Sequence, residues 1–88
     1  MGNINYEKLL VELVKPLVTH PEDIHVTVNA DSEKAILVNV LVNKDDIGRV
    51  IGKKGRVASA IRTIANAAAV RQKDLIEIEF DSLENLND

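Results

Sequence analysis

The chain has 88 residues, 45% of them apolar, a formal net charge of -3 and no cysteine. That length supports one hydrophobic core, and the missing cysteines exclude a disulfide framework, a thiolate metal site and a thiol nucleophile. The acidity argues against a nucleic-acid partner only if the charge is evenly spread, and it is not: residues 1–43 carry three basic and six acidic groups, residues 44–73 eight and two, and residues 74–88 none and six.

Tyr6, Leu9, Leu10, Leu13, Val14 and Leu17 fall at i, i+3, i+4, i+7, i+8 and i+11, which predicts an amphipathic helix. Asn3 or Asn5 can cap its start, and Pro16 disrupts its end by removing an amide and crowding the preceding turn. Glu7, Lys8, Glu12 and Lys15 interrupt the apolar residues, and no basic segment followed by an apolar run opens the chain. Nothing in this pattern looks exported or membrane-spanning.

Ile24, Val26 and Val28 alternate with His25, Thr27 and Asn29, the period-two pattern of a strand near a sheet edge. Turn formers at Asn29-Ala30-Asp31-Ser32 separate it from Ala35 to Val42, whose apolar character on both faces predicts a central strand. Asp45 or Asp46 can cap a short helix with Ile47, Val50 and Ile51 on one face, ended by Gly52 and Gly55. A second helix then spans Val57 to Ala69, with Val57, Ile61, Ile64, Ala65 and Ala68 as its core stripe. Leu75 to Phe80 alternates again and closes the order as a third strand. The fold class is α+β in the order α-β-β-α-α-β, a three-stranded sheet covered on one face by three helices. Residues 1–81 are expected to form a single domain and residues 82–88 a short, frayed acidic C-terminal tail.

The informative stretch is Ile47-Gly48-Arg49-Val50-Ile51-Gly52-Lys53-Lys54-Gly55-Arg56. A Walker A loop needs four residues between its first glycine and the Gly-Lys, then a hydroxyl residue; Gly48 and Gly52 enclose three, and Lys54 follows Lys53. A dinucleotide-binding fingerprint needs its glycines directly after a strand, and these follow a helical turn. What remains is a Gly-x-x-Gly turn between two helices, suited to holding a single-stranded RNA backbone. The glycines permit a sharp turn and close approach of a phosphate, while Lys53 and Lys54 supply charge. The following helix start offers outward amides, and Arg49, Arg56 and Arg62 flank the turn. Ile47, Gly48, Val50, Ile51, Val57 and Ala58, with the polar edge of the Ile24 to Val28 strand, are expected to line a base groove. Tyr6 and Phe80 are the only aromatics, which argues against modules that stack bases on aromatic platforms.

With Asp46 to Arg56 followed by Ala60-Ile61-Arg62-Thr63-Ile64, the chain resembles a type II KH domain, and in particular the small stand-alone bacterial KH proteins of the KhpA family. The resemblance covers all but the tail after Asp81; Ala58, where many KH domains carry a larger aliphatic residue, and the start Asn3-Ile4-Asn5, in place of a basic one, depart from it. It implies a cytoplasmic RNA-binding protein and RNA chaperone acting after transcription; the alternative is a protein-interaction or assembly module in which RNA contact is secondary. It also implies a second KH protein, KhpB, as partner, and a link to cell elongation and peptidoglycan synthesis.

Alanines flank the core stripe of the second long helix, Ala58 and Ala69 on one side and Ala60 and Ala67 on the other. They widen its apolar arc beyond what one sheet needs. Ala58, Ile61, Ala65 and Ala69 are therefore the expected contact of a homodimer or heterodimer. Catalysis is not expected, and neither a metal nor a cofactor is implied. His20 and His25 have no partner at a known spacing, Asp45 and Asp46 suit capping better than opposed catalysis, and Ser59 and Ser82 lack a nucleophile turn.

Overall fold

A computed structural model describes residues 4–30 and 35–84. The expected turn at Asp31-Ser32, the alternative cap Asn3 and the end of the acidic tail lie outside the described residues. Helix α1 spans Tyr6–Val14, and Asn5 caps it by accepting a hydrogen bond from the Lys8 amide at 3.0 Å. Pro16 lies in a 3-10 turn, Lys15–Leu17, through which the chain leaves the helix. A second 3-10 turn, Pro21–Asp23, leads into strand β1, His25–Asn29. Strand β2 covers Ile36–Val42, helix α2 Ile47–Ile51, helix α3 Arg56–Arg71 and strand β3 Ile76–Ser82. This is the expected α-β-β-α-α-β order, and β3 continues two residues past the expected end at Phe80.

The sheet order is β1-β2-β3, so the apolar strand is central as predicted. β1 pairs with β2 antiparallel through the Asn29↔Leu37 to His25↔Leu41 register. β2 pairs with β3 in parallel from Ile36↔Ile76 to Val42↔Ser82. A parallel pair needs a long crossover, and α2 and α3 provide it. The core joins Val26, Val38, Val40, Val42, Ile76 and Ile78 of the sheet to Leu10, Val14, Val50 and Ile61 of the helices. α1 lies mainly over β1 and β2, whereas α2 and α3 lie against β3.

The phase of α3 differs from the sequence-based stripe. Ala58, Ile61, Ala65 and Ala69 are the buried positions, while Ile64 is 51% exposed. The four residues expected at a dimer contact therefore pack inside their own chain, and Ile61, Ala65 and Ala69 belong to the core cluster that joins the helices to the sheet. Outside that stripe, Ala60, Ile64 and Ala67 face solvent, with Val57 and Ala68 half-buried beside them.

Candidate nucleic-acid interface

The turn joining α2 to α3 owes its shape to three departures from ordinary backbone within four residues. Gly52 has φ +76° and ψ 174°, a region open essentially to glycine alone. Lys54 (φ +55°) and Gly55 (φ +73°) are both left-handed. The Gly52 amide donates to the Gly48 carbonyl at 2.8 Å, ending α2, and the Gly55 amide donates to the Gly52 carbonyl at 3.1 Å. The Arg56 amide donates to the Lys53 carbonyl, closing a 3-10 turn over Lys53–Gly55. Two of the amides expected to face a ligand are thus spent within the turn, and α3 starts without a side-chain cap.

A Cβ on Gly52 would lie 2.9 Å from the Val57 amide nitrogen and closer still to the Val57 side chain. Gly52 therefore lets α3 fold back against the end of α2. At Gly55 a Cβ would meet nothing within 4 Å. That glycine is needed for its backbone angle and leaves the outer side of the turn open.

Lys53, Lys54 and Arg56 are exposed around this turn. Gly48 is exposed, Ile47 and Ile51 are half-buried, and together they form the α2 side of the site. Val50 and Ala58, expected in the groove, are buried in the core at 0% and 2% exposure. The strand beside α2 and α3 is β3, so the polar edge of β1 does not form the opposite wall.

Two of the expected arginines hold structural partners. Arg49 donates to the Asp45 carbonyl at 2.8 Å and to Asp46 Oδ1 at 3.3 Å. Arg62 donates through Nε to the Ile78 carbonyl at 3.2 Å and lies over the Phe80 ring, 5.2 Å from its centroid. Both still carry full charge near the turn, but their orientation is set by the scaffold.

Asp46 has a role that its capping position concealed. Fully buried, it accepts hydrogen bonds from the Thr19 amide at 2.9 Å, the Thr19 hydroxyl at 2.8 Å and the His20 amide at 2.9 Å besides that of Arg49, and it does not cap the backbone of α2. Burial pushes its pKa up, but the Thr19 and His20 amides, the Thr19 hydroxyl and the nearby His20 ring outweigh that and hold the carboxyl below its ordinary value. The stability it contributes is present above the ordinary carboxylate range and is lost as pH falls through the lowered value. Asp46 thus ties the start of α2 to the exit from α1.

His20 has partners that sequence spacing did not suggest: its ring nitrogens lie 3.6 Å from Glu22 and 3.9 Å from Asp45. His20, Glu22 and Asp23 also place one possible metal-ligand atom each within 4.8 Å of one another. Asn43 donates to Asp23 at 3.0 Å and the carboxylate of Glu22 is exposed, an arrangement common among surface acidic groups that hold no ion. Among the described residues no helix is long and apolar enough to cross a membrane.

Comparison with known proteins agrees with this architecture. A family model described as KhpA/KhpB, KH domain, matches residues 7–80. The RNA-binding protein KhpA of Listeria monocytogenes is 42% identical over 74 residues, covering 84% of this chain and 96% of that protein. The protein of the same name from Bacillus subtilis is 42% identical over 80 residues, covering 91% and 98%. Among solved structures, Era in complex with MgGDPNP and nucleotides 1506–1542 of 16S ribosomal RNA matches 86% of this chain and 29% of that one. At a TM-score of 0.59 and 17% identity, that likeness concerns the fold.

Proposed function

The chain belongs to the KhpA/KhpB KH-domain family, a family of binding proteins and not of enzymes, and from that premise we propose that it holds single-stranded RNA on the Gly52-Lys53-Lys54-Gly55 turn. The observation that carries the reading is the turn itself: Lys53 and Lys54 are exposed on a backbone whose sharp reversal is fixed by Gly52 and Gly55. Arg56 adds a third exposed cation; Ile47, Gly48 and Ile51 supply the apolar side, and Arg49 and Arg62 add charge from positions anchored by Asp46 and Phe80. Phosphate contacts of this kind fix the strand without reading its sequence. Low base selectivity follows.

The test is fluorescence anisotropy with a labelled single-stranded RNA across a salt series. Three phosphate contacts from Lys53, Lys54 and Arg56 give a slope of log affinity against log salt of about -2, and Lys53→Asp/Lys54→Asp reduces it by about 1.4 units while lowering affinity at every salt concentration. Unchanged affinity and slope in that variant would remove the turn from the mechanism.

At the level of the cell, the reading is a cytoplasmic RNA chaperone that acts after transcription with a KhpB-like partner and contributes to cell elongation and peptidoglycan homeostasis. Residues 1–81 act in it as one domain. Association, as a homodimer or with that partner, uses the outer flank of α3. There Ile64 is exposed between alanines that allow close approach of another helix.

A further inference from the structure

Residues 47–73 contain seven basic groups and not one acidic group. Helix α3 crosses this stretch with cations gathered at both ends: Lys53, Lys54 and Arg56 at its start, Arg71 and Lys73 at its finish, all five exposed. Among the described residues none of the five pairs with a carboxylate, whereas Lys44 and Arg49 do. The next acid in the chain, Asp74, is turned to the hydroxyl of Tyr6.

The two ends share an unusual backbone. Lys54 and Lys73, at φ +55° and +62°, are the non-glycine residues with positive φ among those described. Lys73 follows the C-cap Gln72; its amide donates to the Val70 carbonyl at 3.0 Å, and the Asp74 amide donates to the Ala69 carbonyl at 2.9 Å. Glycine is the usual residue at that point of a helix end, because a Cβ is strained there. A lysine kept in glycine's place points to a use for its charge. Attraction to the negative end of the helix dipole is the competing use.

We propose that Arg71 and Lys73 form a second phosphate contact, and that single-stranded RNA leaving the α2–α3 turn follows the outer face of α3 to reach it. The inference rests on the reading of the turn as an RNA site and extends its footprint. The 16 residues of α3 span about 24 Å. A strand advancing about 3.4 Å per nucleotide when stacked covers that length in about seven nucleotides, and in fewer when extended. Between the ends, Ser59, Thr63 and Asn66 recur at i, i+4 and i+7 and give the strand a neutral polar track. Ala60, Ile64 and Ala67, each one residue further on, occupy the neighbouring side of the exposed arc, so the apolar flank assigned to association stays separate.

The experiment titrates labelled single-stranded RNAs of about five nucleotides, close to the roughly four that a turn of this kind clamps, and of about twelve. The longer RNA should bind more tightly. Arg71→Gln/Lys73→Gln should reduce its slope of log affinity against log salt by about 1.4 and its affinity about fivefold or more, and leave the short RNA within about twofold. Lys8→Gln/Lys15→Gln, which removes equal charge from α1 and its exit, should leave both RNAs within about twofold. Lys73→Gly separates the two uses of the lysine: it should weaken the long RNA alone, while urea unfolding shows stability kept or raised because glycine relieves the left-handed backbone. Lower stability with unchanged long-RNA binding would assign Lys73 to the helix dipole and overturn the proposal. So would equal affinity for the two lengths, an unchanged or length-independent effect of Arg71→Gln/Lys73→Gln, or an equal loss in Lys8→Gln/Lys15→Gln. Lys53→Asp/Lys54→Asp tells such a failure from a failure of the turn: weakening of both RNAs keeps the turn in place, and weakening of neither removes turn and path together.

Discussion

Gly52 and Gly55 share a motif but not a constraint. Gly52 sits in a backbone region closed to other residues and has Val57 against the place of its missing Cβ, whereas Gly55 is left-handed with open space around it. Replacing Gly55 by alanine should cost about 1 kcal/mol, the ordinary penalty for a left-handed residue with a side chain. Replacing Gly52 should cost about 3 kcal/mol or more, because strain and collision with Val57 add. Urea unfolding of the two variants checks this, and equal destabilisation would contradict the different environments. The Gly-x-x-Gly pattern and its lysines were legible from spacing and composition alone. The fixed orientations of Arg49 and Arg62 were not, because Asp46 and Phe80 meet them only through tertiary packing.

Among the elements, the order and the central position of β2 followed from hydrophobic periodicity, since a strand apolar on nearly both faces has neighbours on both sides. Periodicity misplaced the buried face of α3 by part of a turn. Hydropathy weights Ile64 and Val57 above alanine, yet Ala58, Ala65 and Ala69 are the positions that tertiary packing buries beside Ile61. Nor does local sequence announce the link from α1 to the turn before β3, where the buried Tyr6 hydroxyl donates to Asp74 at 2.6 Å. Burial, followed by the hydrogen bond to Asp74 and its negative charge, pushes the Tyr6 pKa up to about 12 from 10.0. With the folded value above the unfolded one, this stabilisation is fully present below pH 10 and is lost as pH rises through about 12. Tyr6→Phe should therefore lower stability at neutral pH by about 1 kcal/mol and flatten its decline on the alkaline side. Parallel urea titrations from neutral to alkaline pH measure both effects, and an alkaline decline as steep in the variant as in the parent would show that Tyr6 is not its source.

In the whole molecule, the exposed cations Lys53, Lys54 and Arg56 gather at the α2–α3 turn while Glu77 and Glu79 are exposed on β3, so the net charge of -3 conceals an uneven distribution. Association through α3 requires a surface of its own, and the burial pattern decides which residues can test it. Ile61, 4% exposed, is a core residue; cutting it to alanine should cost about 2–4 kcal/mol and disturb any interface only by loosening the chain. Ile64, one turn from Ile61 and 51% exposed, can change without opening a cavity, so Ile64→Lys should alter stability by no more than about 0.5 kcal/mol. If the outer flank of α3 is the contact, a lysine there must be desolvated against apolar side chains, and the associated species should disappear. Sedimentation equilibrium of the parent and Ile64→Lys, with urea unfolding of each, reads the two quantities independently. Loss of the associated mass at unchanged stability assigns the contact to this flank, and an unchanged mass distribution assigns it elsewhere.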